Sequence, residues 1–198
     1  MSHFNPHDKF FKRAKEEGYR ARSVFKLEGI QKRFGLLKSG MNVLDLGAAP
    51  GSFLQYISEK IGEKGLAVGI DLQEIKDLEL SNVITYKGDI FDEEGVEFLM
   101  KTLMIQQFDL ITSDLAPKTT GIKSVDGHAS LELNLQVLNI ANKHLRKGGA
   151  VVMKILSGFN EGDLISEVRA SFREVRKYRP EAIRKSSHES YIIGLSKK

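Results

Sequence analysis

Cysteine is absent from all 198 residues, so disulfides, thiolate metal sites and cysteine nucleophiles are excluded. No apolar run approaches the roughly 20 residues that a membrane-spanning helix needs. The segment Met1 to Lys15 is polar and basic and lacks the apolar centre of a secretory signal. Internal repeats, low-complexity tracts and linker-like stretches are missing too. What remains is the composition of a soluble globular protein, 41% hydrophobic and 28% charged. The expectation is one cytoplasmic domain over residues 1–198, long enough to bury a real core.

Charge is unevenly placed. Residues 1–40 carry +6 and residues 169–198 another +6, leaving −8 between them within a total of +4. Basic ends around an acidic centre point to two surfaces, one of them suited to a polyanion. Solvated helix faces are the plain alternative for such charge runs, so charge alone does not decide for nucleic acid.

From Met41 onward, short apolar runs alternate with helical spacing. Strands are expected at Met41–Leu46, Leu66–Asp71, Val83–Tyr86, Phe108–Thr112, Ala150–Ile155, Val175–Tyr178 and Tyr191–Leu195. Helices are expected at Gly51–Ile61, Val96–Met104, Ala129–Leu145 and Gly162–Phe172, with Lys147-Gly148-Gly149 as the stop of the third. A basic helical segment of about 40 residues precedes them. Such alternation implies an α/β fold, a mainly parallel sheet covered on both faces. Ligands in these sheets bind beyond the carboxyl ends of the strands, so strand-end residues matter most.

The first strand runs into Gly47-Ala48-Ala49-Pro50-Gly51, where glycines permit a sharp turn and a close ligand. Ala49 breaks the dinucleotide fingerprint, and no Gly-Lys-Ser/Thr follows as a phosphate loop would require. An adenosine-type ligand without pyrophosphate fits better than a plain tight turn. Asp71 ends the second strand, where a carboxylate accepts from both ribose hydroxyls. Asp89 follows the third, placed to accept from an adenine amino group. Singly, each reads equally well as a turn or cap residue. Asp114 ends the fourth strand, and Lys154 lies inside the apolar fifth. A buried lysine requires a partner, and Asp114 fits either as a structural ion pair or as part of a catalytic one.

These segments resemble the FtsJ-type (RrmJ) ribose 2′-O-methyltransferases of large-subunit ribosomal RNA. The resemblance runs from about Tyr19 to Leu195. It is carried by Tyr19-Arg20-Ala21-Arg22-Ser23-Val24-Phe25-Lys26-Leu27, by Leu44 to Gly51, and by Ser113-Asp114-Leu115-Ala116-Pro117. Val152-Met153-Lys154 and Ser187-His188-Glu189-Ser190-Tyr191 complete it. It implies a Rossmann-like class I methyltransferase with a seven-stranded sheet. It also implies S-adenosyl-L-methionine as cofactor, bound through Gly51, Phe53, Asp71, Asp89 and Asp114, and a catalytic Lys-Asp-Lys-Glu tetrad at Lys26, Asp114, Lys154 and Glu189. Phe53 stands where the family commonly has tryptophan, Ser52 where it often has glycine, and His188 where a basic or small residue is usual.

The implied reaction is in-line attack of an RNA ribose 2′-hydroxyl on the sulfonium methyl, with Lys154 as proton acceptor. Alignment of two bound reactants supplies much of the rate, and a base activates the weakly acidic hydroxyl. Free lysine has a pKa of ~10.4, and opposing neighbours pull that value both ways, so the sequence leaves the net shift open. Arg20, Arg22 and the basic stretch Arg169 to Lys185 are expected at RNA phosphates, with the loop Lys118 to Lys123 near the same mouth. The expected partner is ribosomal RNA within the large subunit, with a uridine modified by a monomer that requires no metal and no membrane. The alternatives are transfer RNA as substrate, or a non-catalytic cofactor-holding RNA-binding module, which the intact tetrad disfavours.

Overall fold

The computed structural model describes residues 9–117, 120–156 and 161–198. Thirteen elements follow one another: α1 (Lys9–Glu16), α2 (Val24–Phe34), β1 (Asn42–Leu46), α3 (Ser52–Ile61), β2 (Leu66–Asp71), β3 (Val83–Lys87), α4 (Glu93–Thr102), β4 (Phe108–Ser113), α5 (Lys123–His144), β5 (Leu145–Leu156), α6 (Glu161–Ser171), β6 (Phe172–Tyr178) and β7 (Glu189–Lys197). The strands form one sheet in the order β3-β2-β1-β4-β5-β7-β6. Pairings from β3 through β5 are parallel, and β7 runs antiparallel to both β5 and β6. The expected α/β architecture is therefore what the chain adopts. After β1 the chain fills one side of the sheet and then returns to β4 on the other. That reversal opens a crevice at the carboxyl ends of β1 and β4.

Period-2 alternation sends successive side chains to opposite faces. Leu44, Leu46, Ile111 and Met153 enter one apolar cluster with α4, α5 and α6. Val43, Ala67, Leu110, Val152 and Ile193 enter the other, with α2 and α3. That second face carries the polar residues of the crevice. Its outermost row holds Asp71, Asp114, Lys154 and Tyr191, and the row beneath holds Gly69, Asp45, Thr112, Val152 and Ile193.

Helix ends follow capping chemistry. Gly35 closes α2 in the left-handed region at φ 62°, and Asp92 starts α4 by accepting from the Gly95 N–H. Two expectations are corrected here. Helix α5 begins at Lys123, not Ala129, because the Asp126 carboxylate gathers the N–H groups of Thr120 and Gly121 and holds the entering turn. Its end is not made by Lys147-Gly148-Gly149, which lie within β5 where the pairing with β4 shifts register. The terminal carbonyls of Ala141, Asn142 and Leu145 instead accept from the Lys197 ammonium on β7, at 2.9, 2.7 and 2.6 Å. Among the described residues no helix is long and apolar enough to cross a membrane.

Candidate active site

Four elements meet at the outer end of the sheet. Lys26 projects from the first turn of α2, Asp114 follows β4, Lys154 lies in β5 and Glu189 begins β7. Lys26 Nζ stands 2.9 Å from Glu189 Oε2 and 3.5 Å from Asp114 Oδ2, while Lys154 Nζ stands 3.2 Å from Asp114 Oδ1. Lys154 also donates to the main-chain carbonyl of Asp114, and its own carbonyl accepts from Asn134 of α5 at 2.9 Å. The side chain is 7% exposed, so these contacts surround a nearly buried nitrogen.

Asp114 is the shared member. Burial works against its charge, yet Lys26, Lys154 and the Tyr191 hydroxyl together hold its pKa below the ordinary value. Burial likewise works against the charge on Lys26, and Asp114 and Glu189 outweigh it, leaving that pKa above the ordinary value. Tyr191 belongs to one of the matching motifs, where sequence reasoning assigns it no role. Its hydroxyl donates to Asp114 Oδ1 at 2.5 Å. Strand parity was the available signal, since Tyr191 lies two residues from Glu189 on the same face.

The residues expected around the cofactor spread along the ends of β1, β2 and β3. Gly47 and Gly51 take φ of 78° and 104°, the left-handed region that favours glycine. A Cβ at Gly47 would stand 2.7 Å from Leu115, so the two strand-end loops touch across this glycine. Asp71 accepts from the Ala49 N–H at 2.9 Å and from Gln73 at 2.8 Å, which ties it to the glycine turn; each oxygen retains a lone pair. Asp89 is exposed and accepts from the Phe91 N–H. Phe53 is buried in the apolar layer between α3 and the sheet. Ser52, at the family's usual glycine, shares a 2.9 Å hydrogen bond with Ser23 at the entrance to α2.

Beside the tetrad opens a cleft of about 320 Å³ lined by Arg22, Ser23, Lys26, Arg184, Ser187 and Glu189. Burial first, and then the nearby Arg184 charge, lower the Arg22 pKa, so two guanidiniums repel across this cleft. The arginine expectations divide here. Arg22 lines the cleft, although it also donates to the Ala182 carbonyl. Arg20 is committed elsewhere, to the carbonyls of Pro50, Lys76 and Asp77, stitching the glycine turn to the loop after β2. Arg179 donates to Glu189, Arg184 and Ser187 carbonyls and shapes the loop before β7. Of the expected loop Lys118 to Lys123, residues 118 and 119 lie outside the described residues.

The FtsJ-like methyltransferase family matches residues 19–197. Two relatives named ribosomal RNA large subunit methyltransferase E are similar along most of their length. The Bdellovibrio bacteriovorus protein is 40% identical over 195 residues, covering 98% of this chain and 99% of the relative. That of Anaeromyxobacter sp. is 44% identical over 191 residues, covering 96% and 69%. A solved Plasmodium falciparum protein described as a ribosomal RNA methyltransferase superimposes with a TM-score of 0.81 at 27% identity, over 90% of this chain and 98% of that one.

Proposed function

The chain belongs to the FtsJ-like methyltransferase family, and from that premise we propose that it methylates a ribose 2′-hydroxyl of large-subunit ribosomal RNA with S-adenosyl-L-methionine. The observation that carries this reading is the joining of two lysines through one carboxylate, beside a cleft rimmed by arginines.

The residues present fit the cofactor. Its sulfonium, ammonium, ribose diol and adenine amine are cations or donors, and its one carboxylate leaves a net charge of +1. The strand ends offer the carboxylates of Asp71, Asp89 and Asp114 as acceptors, beside a turn that lets main chain approach closely. Gly51, Asp71, Asp89 and Asp114 would hold it, with Phe53 backing the turn from beneath. When bound it supplies an electrophilic methyl carried on sulfur.

The chain's own residues do the rest. Lys26 keeps its proton, because its pKa is raised, and so serves as a fixed positive charge and donor at the mouth. Of the two lysines this leaves Lys154 to accept the proton of the attacking hydroxyl at Nζ. Asp114 and Glu189 hold both nitrogens in place, so that two bound reactants align along one axis. Arg22 and Arg184 present paired positive charge to a phosphate next to the target ribose, and an arriving anion relieves their repulsion. The modified nucleotide is a uridine, the enzyme acts in the cytoplasm as a monomer, and no metal takes part.

Transfer of labelled methyl to large ribosomal subunits, free ribosomal RNA and transfer RNA tests the reading, with digestion to nucleosides identifying the product. Labelled 2′-O-methyluridine from subunits is the expected result. Label in transfer RNA alone would move the substrate assignment. Tight cofactor binding with no transfer to any RNA would leave the non-catalytic module.

A further inference from the structure

Asp45 lies on β1 in the row directly beneath Asp71 and Asp114, on the face that lines the crevice. It is 1% exposed, flanked by Gly69 on one side and Thr112 on the other. Its Oδ1 accepts the Thr112 hydroxyl at 2.6 Å. Its Oδ2 is the one buried side-chain oxygen or nitrogen without a hydrogen-bond partner among the described residues. A carboxylate this buried, with one oxygen unpaired by any protein donor, is costlier than the neutral acid.

The charges around it make ionisation harder. Facing the same space are Asp71 on β2, Asp114 after β4, Lys154 on β5, Glu189 and Tyr191 on β7, and Lys26 on α2. Helix α3, packed on the same face of the sheet, carries the buried Tyr56, whose charged neighbours are Glu28, Glu59 and Arg13 instead. Lys26 offsets Glu189, and Lys154 offsets Asp114 whenever it holds a proton, so Asp71 remains as a net negative in either case. An ionised Asp45 would add a second. Burial pushes its pKa up to about 8, with Asp114 and Asp71 adding to the rise against the Thr112 hydrogen bond.

We propose that Asp45 carries a proton in the free protein and releases it to solvent when the positively charged cofactor occupies the crevice, so that cofactor binding and proton release are coupled. This rests on the crevice being the cofactor site. S-adenosylmethionine has a net charge of +1 through its sulfonium. S-adenosylhomocysteine has a neutral thioether and no net charge, so it favours ionisation of Asp45 much less.

Calorimetric titration at pH 7 in buffers of different ionisation enthalpy counts the protons. Release approaching one proton per S-adenosylmethionine is expected, and less than half as much for S-adenosylhomocysteine. Affinity for S-adenosylmethionine should rise by up to about tenfold per pH unit toward pH 8 and then level. Asp45→Asn should bind without proton release. A ¹³C-carboxyl NMR titration of free wild-type protein reads the same group without substitution and should find Asp45 protonated at pH 6. Binding of S-adenosylmethionine without proton release, equal release with both compounds, or an ionised Asp45 at pH 6 overturns the coupling alone. Failure of both compounds to bind overturns the cofactor reading and the coupling with it.

Discussion

Tyr191 and Asp114 meet at a 2.5 Å hydrogen bond, phenol to Oδ1, and Lys154 Nζ lies 3.2 Å from that same oxygen. Tyr191 sits opposite Lys154 in the β5–β7 register, so sheet pairing places donor, carboxylate and lysine together. Burial first, and the Asp114 charge next, raise the phenol pKa well above its ordinary value, so it remains a donor throughout the working range. It leaves Asp114 little freedom to turn away from the lysines.

Tyr191→Phe removes that donor while keeping the ring. We expect a stability loss of about 2 kcal/mol, typical of a hydrogen bond to a charged group. Turnover should fall roughly tenfold through misplacement of Asp114. Thermal melts and single-turnover methyl transfer measure the two effects. Unchanged turnover would remove Tyr191 from the positioning of the tetrad.

Lys154→Ala should lower methyl transfer by about 10²–10⁴-fold, the range for loss of a general base. Cofactor affinity should stay within a few-fold. Lys26→Ala should also slow transfer, but it should leave the ascending limb of the pH–rate profile in place, because its proton is not the one moved. Near-normal transfer by Lys154→Ala with bound cofactor would remove it as the base.

Asp114→Asn leaves Lys154 without its carboxylate and Lys26 with Glu189 alone, and should destabilise the fold by on the order of 3 kcal/mol. The pH dependence has a definite sign. The Asp114 pKa is lowered on folding, so its stabilisation is complete above about pH 4 and is lost as pH falls through the folded value. The Lys26 pKa is raised, so its contribution is complete below about pH 10 and is lost as pH rises through the folded value. Denaturant titrations from pH 3 to 11 should therefore show both limbs flattened in Asp114→Asn.

Arg20 and Arg22 lie two residues apart and should fail differently. Arg20→Ala releases the glycine turn from the loop after β2 and should raise the cofactor KM about tenfold, without altering the salt dependence of RNA binding. Neutralising Arg22 and Arg184 should weaken RNA binding and reduce its salt slope by nearly one for each phosphate left without its arginine. A salt slope unchanged by both neutralisations would refute the cleft as the phosphate site.

Gly47→Ala places a methyl group 2.7 Å from Leu115 at a φ of 78°. Strain of about 1–3 kcal/mol is expected, together with weaker cofactor binding. A melting temperature and cofactor affinity equal to wild type would show that the turn tolerates a side chain.

Much of the site was legible in the chain because strand-end residues lie at predictable places in a parallel sheet. Lys154 drew notice as a charge inside an apolar strand. Asp45 sits in β1 in the same way, but in sequence it is indistinguishable from the glycine turn that follows it. The carbonyl contacts of Arg20 are not legible, because a surface arginine and one bound to three carbonyls look alike in sequence. The end of α5 lies within one residue of the expected Leu145, but what closes it is not legible locally, because the residue that caps it, Lys197, is more than 50 positions away.

Alternating hydrophobicity and glycine spacing, both local properties, were enough to determine the α/β class, the order of elements and the turn after β1. Contacts between residues far apart in sequence were decided only by tertiary structure. The crossover from β3 to β4 opens the crevice, and the antiparallel insertion of β7 beside β5 brings Glu189 and Tyr191 to Asp114 and Lys154. Burial then sets the charges, since a carboxylate in a strand is an ordinary acid until the layers on both sides exclude water from it.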